Sequence, residues 1–469
     1  MSHRVLHPPR AEPAPAITVN LHRAAGNWAA KRASARQLVD WEAWREEARR
    51  VRADAVAHLP ELIERLEERV RAAGGEVHHA ATAEEAAAII VGLCRARGAS
   101  SVAKAKSMTA EEIGLNEALE LAGVEAVETD LGEYIVQQLG DRPSHILAPA
   151  VHLSAAQVAE LFGRLSGEAF DPEDTAALVA YARGVLRERF LTADVGITGV
   201  NMAVAETGSL VLIESEGNIR LSASLPRTHI ALMGIEKVVR DWTGAAHLMQ
   251  MLPLASHGRP AAASTSVVTG PARDGDDGPG ELHLVLLDAG RSAVRGTDLE
   301  EALQCIRCGA CLYACPVYRQ VGGHAYGSSY SGPIGAVITP ALERSSPETA
   351  QLPWMSSLCG ACAEACPVKI PLDEQLVTLR AAAHERDPHR GEAALFEAWA
   401  RLWSRPAGYR ATARTAGKAL GPLWRKAARA SRDGWTPRAP FPFDGWTSTR
   451  DVRSPAAEPF HERWRKRRG

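Results

Sequence analysis

CIRCGACLYACP (305–316) and SSLCGACAEACP (356–367) hold seven of the eight cysteines in the chain. The first stretch reads Cys305-x2-Cys308-x2-Cys311-x3-Cys315-Pro316. Spacing of this kind belongs to iron–sulfur ligation. Three thiolates two residues apart wrap one corner of a cluster, and the fourth cysteine, placed before a proline, turns away to ligate a different one. Structural zinc prefers separate C-x2-C knuckles. Disulfides suit an oxidising compartment, and the N-terminal sequence MSHRVLHPPRAEPAPAITVN lacks the apolar core of a signal peptide. Thiolate ligands in a reducing cytoplasm are therefore expected.

Aligning the two Cys-Pro endings sets Cys366 on Cys315, Cys362 on Cys311 and Cys359 on Cys308. The place of Cys305 falls to Ser356. By the crossover rule one cluster receives Cys305, Cys308, Cys311 and Cys366, and the other Cys315, Cys359 and Cys362. The second set lacks one cysteine. Its remaining iron is open to Ser356, to His324, to water or to a partner, or is missing, which leaves a three-iron cluster. The remaining cysteine, Cys94, lies in the helical stretch AAAIIVGLCRARG and reads as a small buried hydrophobe.

The chain has 469 residues, enough for two or three domains. Hydrophobic residues make up 46% and charged residues 23%, with a formal net charge of -2. These values suit a globular protein and give no sign of a nucleic-acid binder. No apolar run reaches the ~18 to 20 residues of a membrane span.

Five regions follow from the pattern. Residues 1–26 read as a flexible, Pro-containing arm. Residues 27–75 are helical, with apolar residues three and four apart and a stop at Gly74-Gly75. Residues 76–296 alternate short apolar runs with helical stretches, the pattern of an α/β domain with a largely parallel sheet. Strand candidates are EVHHA, SVAKAKS, SHILAP, VGITGV, SLVLIES, THIALMGI, STSVVTG and HLVLLDAG. TAEEIGLNEALELAG reads as a helix opened by Thr109. Residues 297–385 carry the cysteines. Residues 386–469 form a tail, helical to about Ala428 and then Pro- and Trp-containing and extended.

Two polar stretches of the α/β region suit a cleft for a small anion. One places Lys104, Lys106 and Ser107 at a strand end before a helix. In the other, Asn201, Glu206, Thr207 and Gly208 precede a strand, and Glu216, Gly217, Asn218 and Arg220 follow it. The plainer reading makes Gly and Asn turn residues, with Glu206 and Arg220 paired or solvated. Neither G-x-G-x-x-G after a strand nor G-x-x-x-x-G-K-[ST] occurs, so dinucleotide and Walker fingerprints are missing.

GITGVNMAVAETGSLVLIESEGNIRLSASLPRTHIALMGIEKVV resembles the signature of the lactate-utilization (LUD) domain. The cysteine runs, with VYRQVGGHAYGSSYSGPIGAVITP between them, resemble a ferredoxin-type segment. In this order the two resemble the lactate utilization protein B family from about residue 25 to the Trp-rich tail. The resemblance implies a NagB/RpiA/CoA-transferase-like α/β fold over roughly residues 70–290. The rest would be a mainly helical ferredoxin-type domain and a helical to extended tail. It implies two [4Fe-4S] clusters on the seven cysteines above, with the three-cysteine second site expected. It further implies an electron-transfer subunit of a flavin-independent system oxidising L-lactate to pyruvate. The partners would be a second iron–sulfur protein and a small LUD-domain protein, with the electron acceptor unnamed. No catalytic residue is singled out.

Two other functions fit parts of the sequence. The ferredoxin-type segment suits an electron-transfer subunit for another 2-hydroxy acid, such as glycolate. The superfamily likeness permits a CoA-transferase-like enzyme with Glu206 as nucleophile and structural clusters. The loop GGHAYGSSYSG either turns the chain or offers backbone amides that tune the clusters.

Overall fold

Ten strands of the α/β region form two sheets. They are β1 (Glu76–Ala80), β2 (Ser101–Lys104), β3 (Glu125–Glu128), β4 (Val195–Gly199), β5 (Met202–Val204), β6 (Ser209–Glu214), β7 (Thr228–Gly234), β8 (Val238–Val239), β9 (Ser264–Val268) and β10 (Glu281–Leu287). The larger sheet is wholly parallel, in the order β1-β10-β7-β4-β2-β3. In its centre Ala231 of β7 sits between Leu284 of β10 and Thr198 of β4. Every residue of β7 is buried, as expected of a parallel strand covered on both faces. The smaller sheet, β8-β5-β6-β9, is mixed. The computed structural model describes residues 15–343, 346, 348–386, 390–415, 435–436, 447, 452–453 and 458–468.

SHILAP is not a strand. His145 Nδ1 accepts the backbone N–H groups of Leu147 and Ala148 at 3.0 and 3.1 Å, which ties the segment into a local turn. The helix assigned to TAEEIGLNEALELAG is two helices, Met108–Glu112 and Leu115–Leu121, parted at Gly114. Its cap is Ser107, whose hydroxyl accepts from Ala110 N, rather than Thr109.

Three helices precede the sheet: α1 (Pro15–Ala35), α2 (Trp41–Ala57) and α3 (Leu59–Ala72). The arm expected over 1–26 is thus helical from Pro15. Leu21 and Ala25 are buried there, and that burial offsets the ordering cost that a free arm would not meet. Residues 1–14 lie outside the described residues. Trp28 of α1 stacks on Tyr313 at 5.6 Å between centroids and donates to Ala255 O at 3.1 Å. α1 and α2 share one hydrophobic core with the helix Trp242–His257 and the cysteine region, so no break in packing marks residue 296.

Contacts divide the chain into two units, Met1–Ala383 and His384–Gly469. The second, taken by itself, contains a helix Arg390–Trp403, a helical stretch 406–415, the antiparallel pair Trp435–Thr436 and Val452–Arg453, and a helix Phe460–Arg468. Phe396, Trp399, Trp403 and Tyr409 form a chain of ring contacts in it. The tail residues between 415 and 435, including Ala428, lie outside the described residues. Among the described residues, no helix is long and apolar enough to cross a membrane.

Candidate iron–sulfur centre and the cavity beside it

The two cysteine runs share one backbone path. Arg307 and Gly309 in the first have φ of 59° and 71°; Leu358 and Gly360 in the second have 54° and 76°. Each run then enters a five-residue helix, Ala310–Ala314 and Ala361–Ala365. Each next meets a Cys-Pro pair. Pro316 starts the helix Pro316–Val321, where it has no N–H to lose, whereas Pro367 opens a turn ahead of the helix Leu372–Arg386. Cys315 Sγ accepts from Tyr318 N at 3.5 Å, and Cys366 Sγ from Ile370 N at 3.4 Å. Cys305 Sγ accepts from Arg307 N at 3.4 Å, and Ser356 Oγ accepts from Leu358 N at 3.1 Å. Ser356 therefore holds the backbone position of Cys305, as the Cys-Pro alignment indicates.

The thiols fall into two groups. Burial pushes Cys308 up, with Cys366 and Cys305 adding to the effect. Cys311 is raised by burial, then by Cys305, Cys308, Cys366 and Cys362. Burial raises Cys366 to about 11, partly relieved by the Ile370 N–H and reinforced by Cys305. In the other group burial raises Cys315, with Cys359 adding to it. Burial likewise raises Cys362 to about 12, with Cys315 adding to it. One small cavity is lined by Cys305, Cys308, Cys311 and Cys366 and by no other cysteine, and its walls include Ile146, Ile306, Ile334, Val368 and Ile370. All eight cysteines are free. Converging thiols that raise one another's pKa, in an apolar pocket, suit a cluster that takes them as thiolates and expels their protons. Cys359 and Leu358 are exposed, so the second group opens at the surface.

His324 is not gathered with the thiols by any hydrogen bond. Its Nε2 meets Arg142 O at 2.6 Å and lies 3.7 Å from Asp141. From the same loop, Tyr326 is buried and its hydroxyl has no hydrogen-bond partner among the described residues. Burial raises that phenol, followed by Cys315, Cys311 and Cys362, which places it against thiols of both groups. The loop thus brings a side-chain donor, Tyr326, near the thiols. His145 Nε2 is also buried without a partner, beside Gly309. Burial first, then Lys106 and His257, hold this imidazole neutral, down to about 3. Since Nδ1 accepts, its proton sits on Nε2.

Basic side chains from α1 and α2 surround the first group. Arg32 Nη2 donates to Ala365 O at 2.6 Å. Arg45 donates to Cys366 O at 2.9 Å and Ala363 O at 3.2 Å. Arg52 donates to Gln304 O at 3.2 Å, Leu303 O at 3.0 Å and Val238 O at 2.9 Å. They hold the carbonyls of the cysteine runs and supply positive charge to a site that carries negative charge when filled. In the sequence these arginines look like ordinary polar faces of helices. Only their recurrence on the buried side, i to i+7 from Arg45 to Arg52, carried a signal.

A second cavity, of about 280 Å³, lies between the parallel sheet and the cysteine region. Lys106, Ser107, Asn201, Glu216 and Asn218 from the two polar stretches meet there, joined by Lys237 and Arg307. Gly199 lets β4 approach closely: a Cβ there would stand 2.7 Å from Ser107 Oγ. The other residues of those stretches go elsewhere. Lys104 is buried against Glu128 at 2.6 Å and Glu111 at 3.2 Å. Thr207 Oγ1 accepts from Trp242 Nε1, and Glu206 from Trp242 N, at 3.2 and 3.4 Å. Beneath the cavity Glu236 accepts from Arg291 at 2.5 Å and Arg307 at 3.2 Å. Burial alone would raise Glu236, but Arg291, Arg307 and Lys237 outweigh it and hold the carboxylate at about 2. Burial lowers Lys237 to about 8, against the pull of Glu236.

Three family models match the chain: the LUD domain over residues 63–287, the 4Fe-4S dicluster domain over 301–370, and the lactate utilisation protein B C-terminal domain over 377–469. The chain is 45% identical to lactate utilization protein B of Shouchella clausii over 93% of this chain and 91% of that protein. It is 43% identical to the protein of that name from Oceanobacillus iheyensis, over 92% and 89%. The Bacillus subtilis protein is likewise 43% identical, over 92% and 88%.

Proposed function

The chain belongs to the lactate utilization protein B family, and on that premise we propose that it is an iron–sulfur electron-transfer subunit acting in the oxidation of L-lactate to pyruvate. The observation that carries this reading is the regrouping of the two cysteine runs. Cys366 joins Cys305, Cys308 and Cys311 around one cavity, while Cys315 turns to Cys359 and Cys362. We assign the first four to one [4Fe-4S] cluster and the last three to a second, whose remaining iron faces Ser356. A bound iron–sulfur cluster takes up and returns one electron at a time.

The chain's own residues arrange the rest. Cys315 and Cys366 each cross to the other run, which fixes the two sites in one rigid piece and keeps the path between them short. Tyr326 sets a buried hydroxyl donor near Cys315, Cys311 and Cys362, thiols of both sites. Arg32, Arg45 and Arg52 hold the backbone of the first site and favour added negative charge there. Exposed Cys359 and Leu358 give the second site the outlet at which a partner subunit or the electron acceptor docks. The likeness to the NagB/RpiA/CoA-transferase superfamily and a cytoplasmic location belong to the same reading.

Deletion of the gene tests the function. Cells lacking the chain should fail to grow on L-lactate as carbon source, and the wild-type gene but not Cys366→Ser should restore growth. Normal growth on L-lactate with a defect on glycolate would transfer the role to the other hydroxy acid.

A further inference from the structure

We propose that the cavity between the parallel sheet and the first cysteine run is a binding site for a small carboxylate of the 2-hydroxy or 2-oxo acid class. The identity of that acid as lactate or pyruvate rests on the function proposed above; the anion site rests on the geometry alone.

Position comes first. Ser107, Asn201 and Lys237 lie just beyond the C-terminal ends of β2, β4 and β7, where open parallel sheets bind ligands. A separate small cavity has Asn201, Lys237, Leu252 and Arg307 as shared walls with it and reaches Cys305. Arg307 thus borders the cavity through its guanidinium while its backbone N–H donates to Cys305 Sγ. A ligand held in the larger cavity is separated from the first cluster site by the Arg307 wall.

Charge comes second. No carboxylate lines the small cavity, whereas Lys237, Arg307 and Arg52 do; in the larger one Lys106, Lys237, Arg259 and Arg307 meet Asp130, Glu214 and Glu216. The Arg52 guanidinium is spent on backbone carbonyls, and Lys237 Nζ donates to Val200 O at 2.8 Å, with two of its three N–H groups left. Arg307 Nε and Nη1 and Lys106 Nζ are buried with no hydrogen-bond partner among the described residues. The nearest carboxylate oxygen to Lys106, on Glu133, is 3.7 Å away. Three acids line the larger cavity and each caps backbone: Asp130 accepts from Glu133 N, Glu214 Oε2 from Ile219 N and Arg220 N, and Glu216 from Leu131 N, while Glu214 Oε1 is buried with no hydrogen-bond partner among the described residues. Asn201 Oδ1 accepts from Ile213 N, which leaves its amide nitrogen as a donor. Buried N–H groups without acceptors are costly, and an anion from solution satisfies them.

Size and shape come third. At about 280 Å³ the cavity falls at or below the ~300–1,000 Å³ typical of drug-sized ligands, and an acid of three or four carbons fits it. Leu252, Pro253 and Ile146 offer an apolar wall for a methyl group.

The test is calorimetric titration of the full chain, reconstituted anaerobically with iron and sulfide, with L-lactate, pyruvate, glycolate and the neutral amide of lactate. Saturable binding of an acid but not the amide is expected, weakened at least tenfold in Lys237→Met and in Lys106→Met. Unchanged iron content shows that each variant is folded, and the second variant stands in if the first is not. No binding by any of the three acids, or binding untouched by both substitutions, overturns the site. Glycolate binding alone, lost in the same variants, supports the site and overturns the lactate reading. The converse result, no acid bound while lactate still reduces the clusters in the full system, overturns the site and leaves the electron-transfer role intact.

Discussion

Arg45→Met should lower the reduction potential of the first cluster without emptying it. Arg45 is buried, and its guanidinium reaches the carbonyl of Cys366, one of the four thiols around the first cavity. Reduction adds one negative charge to that site. Taking the guanidinium at about 8 Å from the added charge, with an effective dielectric of about 20, the attraction lost is about 2 kcal/mol. For a one-electron couple, about 1.4 kcal/mol is a tenfold change and corresponds to about 59 mV, so the shift is about 90 mV. Glu42, whose carboxylate pairs with Arg45 at 2.9 Å and is mostly exposed, offsets part of the charge, which brings the expected range to about 40–90 mV, toward the negative. The assay is an EPR-monitored redox titration of wild type, Arg45→Met and Arg45→Lys, with iron measured on each. Lysine keeps the charge and should restore more than half of the shift. An unchanged or raised potential in Arg45→Met would refute the electrostatic role. So would equal shifts in both variants, which would point to the lost hydrogen bonds alone.

Cys366→Ser should damage the cluster held by Cys305, Cys308 and Cys311, and Cys315→Ser the other; EPR of the two variants showing the reverse assignment would mean that each run binds its own cluster. Ser356→Cys should make the second cluster harder to oxidise to a three-iron form and lower its potential, since an added thiolate favours the oxidised state; unchanged air sensitivity and potential would mean that Ser356 does not face the open iron. Tyr326→Phe removes one buried hydroxyl donor at constant shape and should lower the potential of at least one cluster by tens of millivolts, from about 1 kcal/mol of hydrogen bonding; potentials equal to wild type would show that the hydroxyl does not donate to either site.

The cysteine chemistry was open to reading because local spacing carries it. The positive φ values of Arg307 and Leu358 and the matched bonds to Cys305 Sγ and Ser356 Oγ repeat a pattern already visible as twelve-residue strings. The strands of the parallel sheet except short β3 were visible as apolar runs, short β5 and β8 of the smaller sheet were not, and SHILAP misled because apolar residues there serve a turn around His145. Lys104 and Lys106 are two residues apart, yet Lys104 ends inside the protein on Glu128 and only Lys106 reaches the cavity. That difference depends on which elements flank β2, and tertiary packing decides it. The arginines of α1 and α2 showed in the sequence only as the i to i+7 recurrence of Arg45 and Arg52, because their carbonyl partners lie hundreds of residues away.

Electron flow from lactate through two clusters in this chain is the step to test. Its most direct test is freeze-quench EPR of the anaerobically reconstituted chain, mixed with its partner lactate-utilization proteins and L-lactate in the absence of an added acceptor. Reduced-cluster signals from this chain should appear as pyruvate forms, and Cys366→Ser should abolish the signal of the first cluster. Pyruvate formation with both clusters remaining oxidised would contradict it.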